Sequence, residues 1–457
     1  MTDTSTAESA QQAVAPPSRW TLPIVLAAQF VTPTAIAGTA IALPHISTDL
    51  GSNPTALQWV VNGFNVAFAL ATLVWGTLSD RIGHRQTFAL GALAVTLGSV
   101  VSAIAPNLLV LDIARVIAGV GAAAILTGSS SLISSAYEGS RRTHAFAIFG
   151  TVNGLGLALG PTISGALVSL VDWRGVFVVH AVILAAAAVG SRLLPAVQPA
   201  AGPRGPILDL SLLRNREFLA MCLVPVAGSI GFVTLLTYLP SAFSGIKNLG
   251  AGDAGLLMLA MTIPVLVTPL LIAQAVTRFR GLTVGVVVLL SLGALLLGNA
   301  GILLLSQGNS LVWVLVPMVL LGLGFGLPIG LVDGHALSVV PEERTGTAAG
   351  LLNFFRIGSE AVFVAGYALV LSAVVGSKLS GAAADDTAAG QFGHPDVYRS
   401  AFVTTVIVLI ALLAVVTVAI VAVRRRSSSV DAGSASSEND APADRSASTT
   451  EKEGTPA

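Results

Sequence analysis

Gly76-Thr77-Leu78-Ser79-Asp80-Arg81-Ile82-Gly83-His84-Arg85 is the stretch that decides how this chain is read. Long apolar runs flank it on both sides, each near the roughly 20 residues that cross a bilayer as a helix. Its polar residues therefore predict a short loop joining two membrane helices. Gly76 and Gly83 would give the backbone freedom for tight turns. Asp80 would place a fixed negative charge at the membrane surface. There it can accept hydrogen bonds from the exposed N–H groups at the start of a neighbouring helix. Arg81 and Arg85 would mark the side on which basic residues accumulate.

Composition points the same way. Of 457 residues, 54% are hydrophobic and only 10% are charged, with a mean hydropathy of +0.84. A soluble domain carries about 25% charged residues, so a polytopic membrane protein is expected, with the lipid bilayer as its surroundings. The net charge of +0 gives no basic surface for nucleic acid. The single cysteine, Cys222, excludes an internal disulfide and a cysteine-rich metal site. The first residues lack the basic start of a signal peptide, and the apolar run after them is too long for one. That run reads as an uncleaved membrane helix.

Twelve apolar runs are long enough to span: 22–44, 57–76, 87–105, 108–128, 145–170, 176–194, 218–240, 255–275, 282–305, 311–335, 346–373 and 400–423. The expected fold is all-α, with twelve transmembrane helices in two pseudo-symmetric six-helix bundles, 21–194 and 218–423. A Pro- and Arg-rich central segment, 195–217, divides them. The polar ends, 1–20 and 424–457, are expected to be disordered. With the N-terminus in the cytoplasm, the inner segments carry 15 Lys and Arg and the outer loops 4. This excess obeys the positive-inside rule and puts both termini inside.

The 76–85 stretch resembles the loop between helices 2 and 3 of the major facilitator superfamily, a family of secondary transporters. In that family the helix facing the acid is helix 11, here beginning near Thr345-Gly346-Thr347. The resemblance implies that Asp80 bridges the two halves and holds the inner side closed. Leu111-Asp112-Ile113-Ala114-Arg115 and the following Val116-Ile117-Ala118-Gly119 are similar to the family's helix-4 motif, whose arginine is linked to proton transfer. The glutamine common in that motif is Ala118 here. Gly154-Leu155-Gly156-Leu157-Ala158-Leu159-Gly160-Pro161-Thr162-Ile163-Ser164-Gly165 resembles the helix-5 motif of the exporting, antiporter branch. Pro161 removes a helix hydrogen bond and would bend that helix. Gly156, Gly160 and Gly165 would let a neighbour approach closely. These glycines lack the strand and βαβ context of a nucleotide fingerprint, and no cofactor is expected. The approach to helix 11, Pro341-Glu342-Glu343-Arg344-Thr345-Gly346-Thr347, is similar to that of drug:proton antiporters with fourteen helices. This chain looks like a twelve-helix version without the inserted pair.

Three intramembrane charges stand out beside Arg115 and Asp112. Glu360 lies roughly 20 Å beyond the start of helix 11, well inside a hydrocarbon core about 30 Å thick. Arg356 is one turn earlier on the same face. An intramembrane charge costs about 2.5–3.5 kcal/mol on insertion scales and is usually paired and functional. Glu360 is therefore either a proton or cationic-substrate site, or a structural partner of Arg356. Asp333, near the cytoplasmic end of helix 10, is either a solvated interface residue or part of a translocation path. Many relatives carry an acid in helix 1, and the corresponding position here is Ala35. Gln29 is the most polar deep side chain of that helix. A coupling carboxylate must then come from elsewhere, with Glu360 first and Asp112 second.

The resemblance implies a monomeric cell-membrane transporter with a cavity between the halves, exporting hydrophobic drug-like or secondary-metabolite molecules in exchange for protons. Phe30, Trp59, Phe64, Phe68, Phe354 and Phe355 are available as cavity contacts or as core. The alternative is uptake or exchange of a small metabolite without proton coupling. No metal-ligand cluster or nucleophile–base constellation supports an enzyme.

Overall fold

The computed structural model describes residues 18–51, 54–196, 210–279 and 281–438, and among them all regular structure is helical. Helix α1 is Thr21–Leu50, α2 Pro54–Ile82, α3 His84–Ala103 and α4 Leu108–Ala136. The run Gly139–Gly190 is broken by non-helical backbone at Val171 and Asp172, giving α5 (139–170) and α6 (173–190). Helix α7 is Arg216–Lys247 and α8 Ala251–Arg278. Helix α9 is Val284–Ile302 and α10 Val312–Ser338. Helix α11 is Thr345–Gly376 and α12 Pro395–Glu438.

Lipid offers no partner to backbone N–H and C=O groups, so each span must satisfy its own as a helix. Where helices begin near water, short polar side chains take over this task. Asn107 accepts the Val110 N–H at 3.0 Å, Asn215 that of Phe218 at 3.2 Å, and Thr283 that of Val286 at 3.4 Å. Ten segments are long and apolar enough to cross a membrane, and the bent α1 makes an eleventh. The twelfth, α5, carries Thr151, Asn153 and Gly154 in its middle and is covered by neighbours on two sides. Gly156 lies against Phe30 and Pro33 of α1, and Gly154 against Leu266 of α8.

Small residues hold each bundle together. Gly91 of α3 faces Gly121 and Ala124 of α4, and Gly119 of α4 lies on the Phe64 backbone of α2. In the second half, Gly322 of α10 lies on the Met261 backbone of α8, and Gly298 of α9 on Leu321 of α10. Such close approach supplies the packing that drives helix association when lipid is as apolar as the side chains. Outward faces carry exposed Leu97, Val182, Leu256 and Val415.

Two expectations need correction. Gly76 to Ile82 is not loop: α2 continues through it, and only Gly83, at φ 94°, separates α2 from α3. The stretch is polar because it is the end of a helix that meets another bundle. The tail expected to be disordered from 424 begins as helix, since α12 runs to Glu438. Residues 439–457, 1–17 and 197–209 lie outside the described residues. An even number of crossings places both ends of the helical region on one face, termed here the terminus face.

Candidate functional site

The two bundles meet on the terminus face through α2 and α11. Asp80 stands in the last turn of α2. Its Oδ1 accepts the Gly346 N–H at 2.6 Å, and its Oδ2 accepts the Thr347 N–H at 2.7 Å and the Thr347 hydroxyl at 2.6 Å. The first-turn N–H groups of α11 have no partner within their own helix, and the positive end of the helix favours the carboxylate. Gly76 lies one turn earlier on α2. A Cβ there would stand 2.9 Å from the Gly346 carbonyl oxygen and 3.0 Å from the Gly350 Cα. Gly76 therefore serves helix contact, not a turn. Ser79 Oγ and His84 Nδ1, 2.9 Å apart, tie the two sides of the Gly83 break. Arg81 and Arg85 lie partly exposed beside it. A second bridge forms where Gly330 of α10, at φ 75°, lies on the Phe146 backbone of α5.

Arg115 is 2% exposed. Its Nε donates to the Val60 carbonyl at 3.1 Å, and a terminal nitrogen donates to the Ala35 carbonyl at 3.2 Å. The guanidinium lies 4.4 Å from the Phe64 ring centre and 5.6 Å from that of Phe177. Among the described residues no carboxylate is within ion-pair distance of it. Asp112 does not pair with it; its Oδ1 is buried without a hydrogen-bond partner. The helix-1 position that lacks an acid thus still contacts the helix-4 arginine, through its backbone oxygen.

A set of residues beyond sequence reasoning supports this arrangement. Phe177 meets Trp173 edge to face at 6.0 Å. Trp173 is fully buried, and its Nε1 donates to Asp49 Oδ2 at 3.0 Å. Arg174 pairs with the same oxygen at 2.6 Å. Asp172 occupies φ 67°, ψ 168°, a region populated almost only by glycine, and its Oδ1 accepts the Trp173 N–H at 2.6 Å. The signal available in the sequence was Asp172-Trp173-Arg174 at the α5–α6 turn, opposite an acid at the end of α1.

In the second bundle, Arg356 of α11 donates to Asp333 of α10 at 2.5 Å and to Asn353 Oδ1 at 3.0 Å. Asp333 is 7% exposed, so it is neither a solvated surface residue nor separate from Arg356. Glu360 is half-buried and makes no ion pair or hydrogen bond among the described residues. Arg356 therefore takes Asp333 as its structural partner and not Glu360. Around this cluster, α7 opens into one π-helical turn, Ser229–Val233. Ser359 donates to Ser229 Oγ at 2.8 Å there, and the Tyr238 hydroxyl donates to the Val364 carbonyl at 3.1 Å.

In the α5 motif, Gly156 and Gly160 are buried, and the Thr34 hydroxyl donates to the Gly156 carbonyl at 3.3 Å. Gly165 faces Ile41. The helix continues through Pro161, whose side chain lies outside the described residues. Gln29 donates to Asn153 Oδ1 at 3.2 Å. Of the aromatics, Phe64 and Phe68 are core and Trp59 is exposed. Phe30, Phe354 and Phe355 are half-buried.

Twelve helices in two bundles, joined on one face and bearing charged residues within the spans, define the fold of a membrane transporter. The chain belongs to the Major Facilitator Superfamily, whose family model matches residues 25–364. It is similar to the puromycin resistance protein pur8 of Streptomyces alboniger, at 37% identity over 38% of this chain and 35% of that protein. The cephamycin export protein CmcT of Amycolatopsis lactamdurans is 30% identical over 81% of this chain and 87% of its own length. Among solved structures, the human organic anion transporter MFSD10 matches with a TM-score of 0.62 at 16% identity, covering 87% of this chain and all 100% of that one. The bacterial resistance and export proteins among these relatives fit the drug:proton antiporter branch of the superfamily.

Proposed function

We propose that the protein exports hydrophobic drug-like or secondary-metabolite molecules from the cell, in exchange for protons, by rocking its two bundles about a central cavity. The observation that carries this reading is the Asp80 carboxylate capping α11 across the bundle interface, beside the Gly76–Gly350 contact. A bridge made of one carboxylate and three donors forms and breaks without remodelling either bundle. The terminus face is the cytoplasmic face in this reading, following the distribution of Arg and Lys. The chain as described is then closed to the cytoplasm. The monomer is the working unit, and the cell membrane its site. The names of pur8 and CmcT, a resistance protein and an export protein, support the outward direction. Glu360, Asp112, Arg115, Arg356 and Asp333 are the coupling candidates.

The test is accumulation of a neutral dye, Nile red, and a cationic dye, rhodamine 6G, in cells with and without the protein. Lower accumulation that an uncoupler abolishes is expected. Unchanged accumulation of both dyes would overturn broad export. A second reading, uptake or exchange without protons, is favoured by Ala35, which gives Arg115 a carbonyl where an acid would exchange a proton. Accumulation that rises when the protein is present, and does so equally with an uncoupler, supports it.

A further inference from the structure

Helix α10 is built in two pieces. Val312–Gly326 and Leu331–Ser338 are regular helix, and a turn over 327–330 joins them. Pro328 brings no N–H to the junction, and Gly330 adopts φ 75°, backbone that a side chain would resist. A few residues at the ends of elements absorb the rotation of a hinge. The end piece is also what the second bundle presents to α5. Gly330 lies on the Phe146 backbone, and a Cβ on Gly334 would stand 3.4 Å from the Phe146 ring.

On its other side the end piece is tied to its own bundle. His335 Nε2 lies 3.1 Å from Oε1 of Glu217, in the first turn of α7. Arg424 of α12 holds the same carboxylate, 3.3 Å from Oε1. Asn215 donates to the Val339 carbonyl at 2.9 Å, just past the piece. The His335 and Glu217 side chains are 29% and 21% exposed, so protons from the terminus-face solution reach them. The other charges nearby are engaged or turned to water. Asp333, on the same piece, is held by Arg356 of α11. Arg344 donates to Ser211 Oγ at 2.9 Å, and Arg142 of α5 to the Tyr137 carbonyl at 2.8 Å. Arg141, His144, Arg214, Arg216, Glu342 and Glu343 are exposed. Helix α9 carries no charged residue, and α4 none after Arg115.

We propose that His335 and Glu217 form a proton-operated latch: a proton taken up on His335 from the terminus-face solution holds the end piece of α10 on α7 and keeps that face closed. Histidine is the side chain whose charge ordinarily changes between about pH 5 and 8. Uncharged, its Nε2–H makes one hydrogen bond to the carboxylate. Charged, it adds an ion pair. Arg424 already balances part of the Glu217 charge, which limits the gain to a few-fold in the closed-to-open ratio. Swinging the end piece about Gly330 takes His335 away from Glu217, because Glu217 belongs to α7. The state that keeps the contact binds the proton more tightly, and by reciprocity acid favours that state. Closure therefore strengthens as pH falls through the histidine range and relaxes as it rises. This proton stays on its own side of the membrane. The physiological sense of the latch rests on the proton exchange proposed above: turnover slows once imported protons have acidified the cytoplasm.

The test is the distance between spin labels on Ser140→Cys of α5 and Ser338→Cys of α10, in purified full-length protein carrying Cys222→Ala. Both serines are exposed. In this labelled parent the closed-to-open ratio is expected to rise about threefold from about pH 8 to about pH 6. His335→Gln keeps a hydrogen-bonding side chain that cannot be charged, and the rise should vanish. Glu217→Gln should remove it from the other side. Protonating Asp80 weakens its hold on α11 and opens the face, so any response left in these variants runs the opposite way. His335→Lys, charged throughout, should stay closed at both pH values. A merely structural contact would shift the ratio without changing its slope against pH, and a thermal unfolding scan verifies that each variant is folded. The same pH response in the parent as in folded His335→Gln or Glu217→Gln would overturn the latch. Failure to export either dye in cells, with the pH response intact, would overturn the export reading instead.

Discussion

The Asp80 carboxylate and the first turn of α11 are 266 residues apart in the chain and 2.6 Å apart in space, through the Gly346 N–H. Two further donors, both from Thr347, share the same carboxylate.

Asp80→Ala removes all three bonds. Hydrogen bonds to a charged group contribute about 1.5–3 kcal/mol each, enough together to invert a closed-to-open ratio. Transport is expected to fall about tenfold or more. Spin labels on the terminus-face ends of α2 and α11 should report a longer, newly populated distance by electron resonance. An unchanged distance distribution would remove Asp80 from gating.

Gly350 tests the same closure by sterics alone. A Cβ there would stand 2.5 Å from the Thr72 carbonyl oxygen and 2.7 Å from the Gly76 Cα, both backbone-held. Gly350→Val is expected to hold the terminus face apart while each bundle stays folded. Cysteine labelling from the terminus face should rise several-fold, with thermal unfolding little changed.

Arg115 spans two carbonyls from α1 and α2, and a lysine has one compact charge for both. Arg115→Lys should leave one of them unpaired, at about 1–3 kcal/mol, and abolish most transport. Arg115→Gln loses the charge as well. A lysine variant with wild-type transport would assign Arg115 to packing.

Trp173→Phe keeps the buried ring and deletes its N–H to Asp49. The loss is about 1.5–3 kcal/mol for a bond to a carboxylate, read as a lower unfolding midpoint. Export of dye at saturating concentration should change less than in Arg115→Lys, since Phe177 still covers the guanidinium.

Much of the architecture was legible because hydrophobic length and basic loops are properties of single segments. All twelve runs correspond to helices. Asp80 was found from its position before Gly83, and its partner helix from resemblance. Gly76 was misread, since a glycine at a turn and a glycine at a helix contact look alike until the opposing helix is known. The Asp333–Arg356 pair was missed for the same reason: 23 residues and a helix boundary separate the two, whereas Glu360 is a visible i+4 neighbour. Asp49 with Trp173 lies farther still from any local pattern. What sequence periodicity cannot supply is which of several reachable partners a charge takes.

The Gly76–Gly350 contact has a consequence for the energy economy of the cell. Backbone lies on backbone there, with Cα atoms where side chains would be, and a bridging water needs a polar gap large enough to hold it. Protons cross proteins along hydrogen-bonded water, so a face sealed by bare backbone insulates as well as blocks. In the proton exchange proposed above, an idle transporter of this kind would not drain the gradient it uses. Enlarging either glycine would therefore create a leak conductance, visible as a growth defect in energy-limited medium even where no drug is present.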